Sequence, residues 1–217
     1  MESRMKLLGI VALFLVHSLW SSEEVAVKIT QDIPYLYVNH MGQKIKVARI
    51  QDTDNILDDD YTKTSRPCPP FCIHPTKIND EIRTIAEVEI MHFLKNEVAQ
   101  GKGILIDARL KSWYELETIP SAVNIPFTIV QGADKKRIQK IFSILGMKIE
   151  RDGSWNFDEA KALVVFCNGV WCEQSHHFID AILKWGYPAK KIAYYRSGFQ
   201  GWKLLGLTTV VQKENKK

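Results

Sequence analysis

The stretch FCNGVWCEQSHH sets two cysteines, Cys167 and Cys172, between an apolar run and the beginning of a helical pattern. A thiol is nucleophilic only as its thiolate, and the common way to favour that form is a neighbouring cation. The loop carries no Lys or Arg. A second device is available, because a loop that leaves the carboxyl end of a strand and enters a helix turns successive backbone N–H groups into one concavity and adds the positive helix end. Cys167 directly follows ALVVF, so it belongs at the base of such a cradle, where a thiolate, or a persulfide formed on it, is held as an anion. Cys172, near the helix start, then serves as a resolving or relay thiol. A structural disulfide between the two is the alternative, strained by so short a loop but not excluded by it. Asn168, Gly169, Val170, Trp171, Glu173, Gln174 and Ser175 make up the substrate-binding loop. With Glu173 and no cation, that loop attracts a dianion weakly. Phosphatase and arsenate-reductase chemistry, which calls for an arginine on the oxyanion, is disfavoured.

Other residues carry weaker signals. Trp171 either walls the pocket or simply packs. His176 and His177 fall in the first turn of the following helix, where one can shuttle a proton, although two exposed polar residues are the commoner explanation. CPPFCIHP raises the question of a second centre. Cys68, Cys72 and His74 lack an evident fourth ligand and the spacing of a zinc knuckle, and Cys-x-x-Cys-His for haem attachment is missing, so no metal is assigned. A local Cys68–Cys72 disulfide is the first expectation, and a redox pair that exchanges with the Cys167 loop is the second.

The elements that must position the loop can be read on either side of it. YLYVNHMGQKIKVARIQD alternates about a turn and predicts a β-hairpin, followed by an acidic, proline-rich stretch that is at best an ordered loop. Thr84 and Glu87 match a capping box before a helix whose Val88, Met91, Leu94 and Val98 recur at helical spacing, with Gly101 past its end. GILIDAR reads as a buried strand, KSWYELET as a helical turn, AVNIPF as a second strand and ADKKRIQKIFSILG as a helix. MKIERDGSWNF predicts a small hairpin about Asp152-Gly153. After ALVVF and the cysteine loop, Ser175 is the expected cap of a helix with Phe178, Ile182 and Trp185 inward, then come the strand KIAYYR and the short helix GFQGWKLLG. Strands alternating with helices predict an α/β fold with a parallel sheet covered on both faces.

Composition bounds the rest. The chain has 217 residues, 46% hydrophobic and 25% charged, with a formal net charge of +4 and lysines concentrated only at QKENKK, which does not point to nucleic acid. MESRMK, LLGIVALFLVHSLW and SS read as the charged, apolar and small-residue parts of a cleaved leader; the apolar part is shorter than the roughly 20 residues of a spanning helix. The expectation is an exported, periplasmic protein without stable membrane insertion, and all four cysteines survive cleavage. The predicted division is a leader over 1–22, an extension with the hairpin and CPPFC loop over 23–77, the main domain over 78–211 and a basic tail over 212–217.

Several motifs together resemble the rhodanese, or sulfurtransferase, family. LIDAR followed by TIPSAVNIP resembles its Asp-x-Arg strand end and glycine-containing Ile-Pro segment, VVFCNGVWCEQS its strand and cysteine loop, and YYRSGFQGW its terminal Gly-Gly-x-x-x-Trp turn, in the family's order from about Ile78 to Val211. Glu117, Ser121 and Ser197 stand where the family has glycines, and counted to Ser175 the loop is two residues longer than the usual six. The resemblance implies a three-layer rhodanese-like α/β fold and one cysteine as a persulfide-carrying nucleophile, with Asp107 and Arg109 bracing the loops as supporting structure. It implies a small sulfur-containing donor, a thiol acceptor and no metal or organic cofactor. A thiol-disulfide protein cycling Cys167 and Cys172 is the rival expectation. A non-catalytic binding module, whose hairpin docks a periplasmic protein partner, is another.

Overall fold

A computed structural model of the protein describes residues 25–212. The leader read over 1–22, and all but the first residue of the basic tail, lie outside the described residues. Strands β1 (Tyr35–His40) and β2 (Gln43–Ala48) form the antiparallel N-terminal hairpin, turning at Met41-Gly42. β3 (Arg83–Ile85) opens the main sheet and leads into helix α1 (Glu87–Phe93), which continues as a π-helical turn Leu94–Val98. β4 (Gly103–Asp107), α2 (Lys111–Leu116), β5 (Val123–Asn124), α3 (Phe127–Val130) and α4 (Lys135–Ile144) come next. The small hairpin β6 (Lys148–Ile149) and β7 (Trp155–Asn156) precedes β8 (Ala162–Phe166), α5 (Gln174–Lys184), β9 (Ile192–Tyr195) and α6 (Gly198–Leu204).

The main sheet has five parallel strands in the order β3-β9-β8-β4-β5. Its residues alternate between two cores as the period-two pleat requires. Val164 and Phe166 of β8, with Ala193 and Tyr195 of β9, face Ile90, Met91 and Leu94 from α1 and the turn after it, and Phe199 and Trp202 of α6. Leu163, Val165, Ile192 and Tyr194 face Ile138 and Phe142 of α4 and Phe178, Ile179 and Ile182 of α5. Helices therefore cover both faces, and the fold is the three-layer α/β arrangement. The extension has no separate core: Val38, Val47 and Tyr61 join the first cluster. Backbone bonds from Ile50 N–H to Gly206 O (2.8 Å) and Thr208 N–H to Ala48 O (3.0 Å) tie it to the chain after α6.

Local readings change in three places. The cap of α1 is Ala86, whose N–H donates to Glu89; Thr84 instead lies in β3 and Glu87 accepts from the Tyr195 hydroxyl. The buried stripe of α1 accordingly runs through Ile90, Met91 and Leu94, and Val88 points outward. Ser175 does not cap α5; the cap is Glu173, two residues earlier, and the helix begins at Gln174. Six residues, Asn168 to Glu173, thus separate Cys167 from the helix, and the excess of two counted from Ser175 disappears. Two of the three substituted glycine positions also find reasons. Ser121 holds a left-handed backbone at φ 71° while its N–H donates to His40 Nδ1 and its hydroxyl to Asn39 O, so two bonds to the hairpin offset the strain. Ser197 has ordinary helical dihedrals, whereas the next residue, Gly198, has φ 59°.

Candidate active site

β8 ends at Phe166 and delivers Cys167 to the carboxyl edge of the sheet, in its middle, with β9 on one side and β4 on the other. This is where open α/β sheets place their ligands. The loop back to α5 is folded by a turn in which Cys172 N–H donates to Gly169 O at 3.0 Å. Its outer path is pinned by the start of α6, where Phe199 N–H donates to Cys167 O and Gln200 N–H to Asn168 O, both at 2.8 Å. Gly198 makes that approach possible: a Cβ there would stand 2.5 Å from Cys167 O and 2.7 Å from Gly169 N.

As a thiol, Cys167 donates to the Cys172 carbonyl at 3.0 Å. Burial raises the pKa of such a group, but hydrogen bonds from the Cys172 thiol, the Ser175 hydroxyl and N–H and the Gly169 N–H outweigh it and bring Cys167 down to about 7. The buried Ser175 hydroxyl has no other hydrogen-bond partner among the described residues, so Cys167 is the group it can serve. Cys172 moves the opposite way, raised by burial, by its hydrogen bond to Cys167 and by the charge of that neighbour. The Asn168 amide donates to its sulfur at 3.8 Å. The two thiols are therefore opposed in acidity, Cys167 lowered and Cys172 raised.

A model of the rhodanese-like domain matches residues 91–205, more than half of the chain. The chain belongs to the rhodanese-like domain family. Among solved structures it is similar to a thiosulfate sulfurtransferase from Pseudomonas aeruginosa, at 20% identity over 61% of this chain and 21% of that one, with a TM-score of 0.42. It is similar also to a human single-domain sulfurtransferase, at 21% identity over 55% of this chain and 94% of that one, with a TM-score of 0.39. A rhodanese from E. coli is 21% identical over 50% of this chain and 98% of that one, with a TM-score of 0.32. The chain spans about a fifth of the length of the Pseudomonas protein. No curated protein matches it.

Within this rhodanese-like domain Asp107 and Arg109 sit under the cysteine loop as a fully buried pair. Arg109 Nη2 lies 2.7 Å from Asp107 Oδ2, and Asp107 also accepts from the Thr118 hydroxyl. Arg109 reaches on to Glu117 O and the Tyr61 hydroxyl, and Tyr61 donates to Asn168 Oδ1 at 2.9 Å. Both charges on this buried path are paired and hydrogen-bonded, and the path ends on the first residue after Cys167. Tyr61 was not legible as a site residue, because a lone tyrosine in an acidic loop carries no motif. Gln200 was likewise missed: it accepts from Trp171 Nε1 at 2.8 Å and donates to Tyr61 O at 2.6 Å.

The remaining loop residues divide by contact. Trp171 is buried, with the Arg66 guanidinium 3.9 Å from its ring centroid and Phe71 packed edge-on. Glu173 is outside the cradle and lies 3.5 Å from His177. Gln174 opens α5. His176 and His177 are half-buried rather than exposed, because the His176 ring lies against Tyr194 and His74 and the His177 ring stacks on Phe127. Burial lowers the pKa of His176, and nearby His74 lowers it further. Cys68 and Cys72 are joined by a disulfide with their Cα atoms 4.6 Å apart. Among the described residues no group of three or more His, Cys, Asp or Glu side chains is arranged to hold a metal ion. No described helix is long and apolar enough to cross a membrane.

Proposed function

We propose that the protein is an exported sulfurtransferase that carries sulfane sulfur on Cys167 as a persulfide and passes it to a thiol acceptor. The observation that supports this is the place of Cys167, a free thiol directly after the central strand β8 at the base of the loop into α5, where neutral donors lower its pKa. In the first step the Cys167 thiolate attacks the outer sulfur of a small donor. A bond from Cys167 Sγ to that sulfur forms, the donor's own bond to it breaks, and the donor leaves with the electron pair as a thiolate, or as sulfite if the donor is thiosulfate. The persulfide anion remains under the Gly169 and Ser175 N–H groups. In the second step an acceptor thiolate attacks the same sulfur and Cys167 departs as a thiolate, for which a low pKa is favourable. Neither step calls on a metal or an organic cofactor. The cations nearest the loop are drawn to other groups, Arg109 to Asp107, Arg196 to the carbonyls of His74 and Pro75, and Arg66 to Asp60 O and the Trp171 ring, so a persulfide donor suits the site better than dianionic thiosulfate. Export to a periplasm rests on the leader pattern from Met1 to Ser22.

A second reading is favoured by the placement of the two free, buried thiols, since Cys167 Sγ lies 3.0 Å from the Cys172 carbonyl and a two-electron oxidant could join the pair as a Cys167–Cys172 disulfide. Turnover separates the two. With a low-molecular-weight persulfide as donor and a dithiol as acceptor, wild-type protein should accelerate transfer and Cys167→Ser should fall to the uncatalysed rate. Cys172→Ser should keep at least part of the activity; equal loss in both variants, with a disulfide accumulating in the wild type, would favour the redox reading.

A further inference from the structure

Cys167 is 1% exposed and Cys172 6% exposed, so neither sulfur is open to a donor or acceptor in the described conformation. Attack at sulfur needs the incoming atom in van der Waals contact and in line with the bond that breaks. Some part of the covering structure must therefore move. The N-terminal extension lies against the loop that encloses the two sulfurs and touches it at Asn168, Val170 and Trp171. Tyr61 donates to Asn168, and His74 N–H donates to Val170 O at 2.9 Å. Arg66 and Phe71 both pack on the Trp171 ring, and the His74 ring lies 4.9 Å from that of His176.

These contacts differ in how firmly they are held. Tyr61 belongs to the buried cluster and is bonded to Arg109. Beyond it, residues 63–82 contain neither helix nor strand, most of the side chains from Lys63 to Phe71 are exposed, and Ile73 is 80% exposed. A segment with few buried apolar contacts opens at lower free energy than the sheet beneath it. At its far end Arg196 clasps it, donating to His74 O at 2.9 Å and Pro75 O at 3.2 Å. Between these anchors the Cys68–Cys72 disulfide closes the turn in which Phe71 N–H donates to Pro67 O, and this turn presents Phe71 to Trp171.

We propose that Arg66–Pro75 is a hinged cap over the thiol pair, whose displacement opens Cys167 and Cys172 to reaction, and that the Cys68–Cys72 disulfide is the strap that keeps the cap in its closed shape. The cap goes beyond the sulfurtransferase reading and does not depend on it, because it governs access to the thiols whatever attacks them.

Alkylation tests it without any sulfur chemistry. Iodoacetamide modification of Cys167 is followed by peptide mass at about pH 9, where this thiol is ionised. The wild type is compared with Cys68→Ser/Cys72→Ser and with Phe71→Ala/His74→Ala, and thermal melting confirms that each variant is folded. Both variants should react roughly ten-fold faster than wild type, as expected when a closed local state is released. Rates within about two-fold of wild type in folded variants of both kinds would overturn the cap. Hydrogen exchange on the unaltered protein covers the case in which a variant fails to fold. The His74 amide, bonded to Val170, should exchange much faster than the amides of Val164 and Val165 in β8, and equal protection would likewise overturn the proposal.

Discussion

Cys167 owes its acidity to neutral donors, so each donor is a separate lever on its reactivity. The Cys172 thiol is the first of them, and replacing it by a methyl group removes a hydrogen bond that favours the thiolate. In Cys172→Ala the pKa of Cys167 should therefore rise. Wild-type alkylation should climb with pH through about 7, and the variant's profile should be displaced upward, so that it reacts more slowly at neutral pH and equally well at high pH. An unchanged profile would show that Cys172 is no donor. At this scale the sequence was informative where position is set directly by an element's end. Cys167 could be placed because it comes straight after ALVVF, and Asp107 and Arg109 because they end GILIDAR. Tyr61, Arg66, Phe71 and His74 reach the loop from more than 90 residues away in sequence, by contacts that no local pattern encodes.

At the scale of elements, the cysteine loop is held by the start of α6 as much as by its own strand and helix. Gly198→Ala tests that support. The added methyl would press on Cys167 O and Gly169 N at a backbone φ of 59°, and neither the carbonyl nor the amide can move without breaking the Phe199 and Gln200 bonds. A loss of about 2–3 kcal/mol in denaturant unfolding is expected, the size usual for strain at a special backbone position. The reaction of Cys167 should fall with it, whereas Gly153→Ala, at an exposed hairpin turn with nothing within 4 Å, should cost no more than its backbone strain and leave Cys167 unaffected. Strands and helices of this domain were legible because their burial keeps clean periods, as in Leu163 to Phe166 and Phe178 to Ile182. Helix starts were harder. Thr84 and Ser175 are good capping residues by type, but pairing with β9 claimed the first and burial beneath the loop claimed the second.

At the scale of the whole molecule, the extension is part of the domain's core. Val38, Val47 and Tyr61 are each worth roughly 1.5–3 kcal/mol of burial, which together approaches the about 5–15 kcal/mol that keeps a domain folded. Removing residues 25–62 should abolish cooperative thermal unfolding of the remainder, and a truncated protein that melts like the full chain would contradict the shared core. The small size of this segment already implied that it must lean on the α/β domain. That it would roof the cysteine loop was not legible, since this depends on the chain returning after α6 to bond Ala48 and Ile50. The central claim, that Cys167 carries sulfur, is tested most directly by intact mass. Protein exposed to a persulfide donor and freed of it should gain about 32 Da, one sulfur atom. The gain should map to the peptide containing Cys167, vanish on adding a dithiol and be absent from Cys167→Ser. A wild-type protein that gains no sulfur, or gains it equally in Cys167→Ser, would contradict the claim.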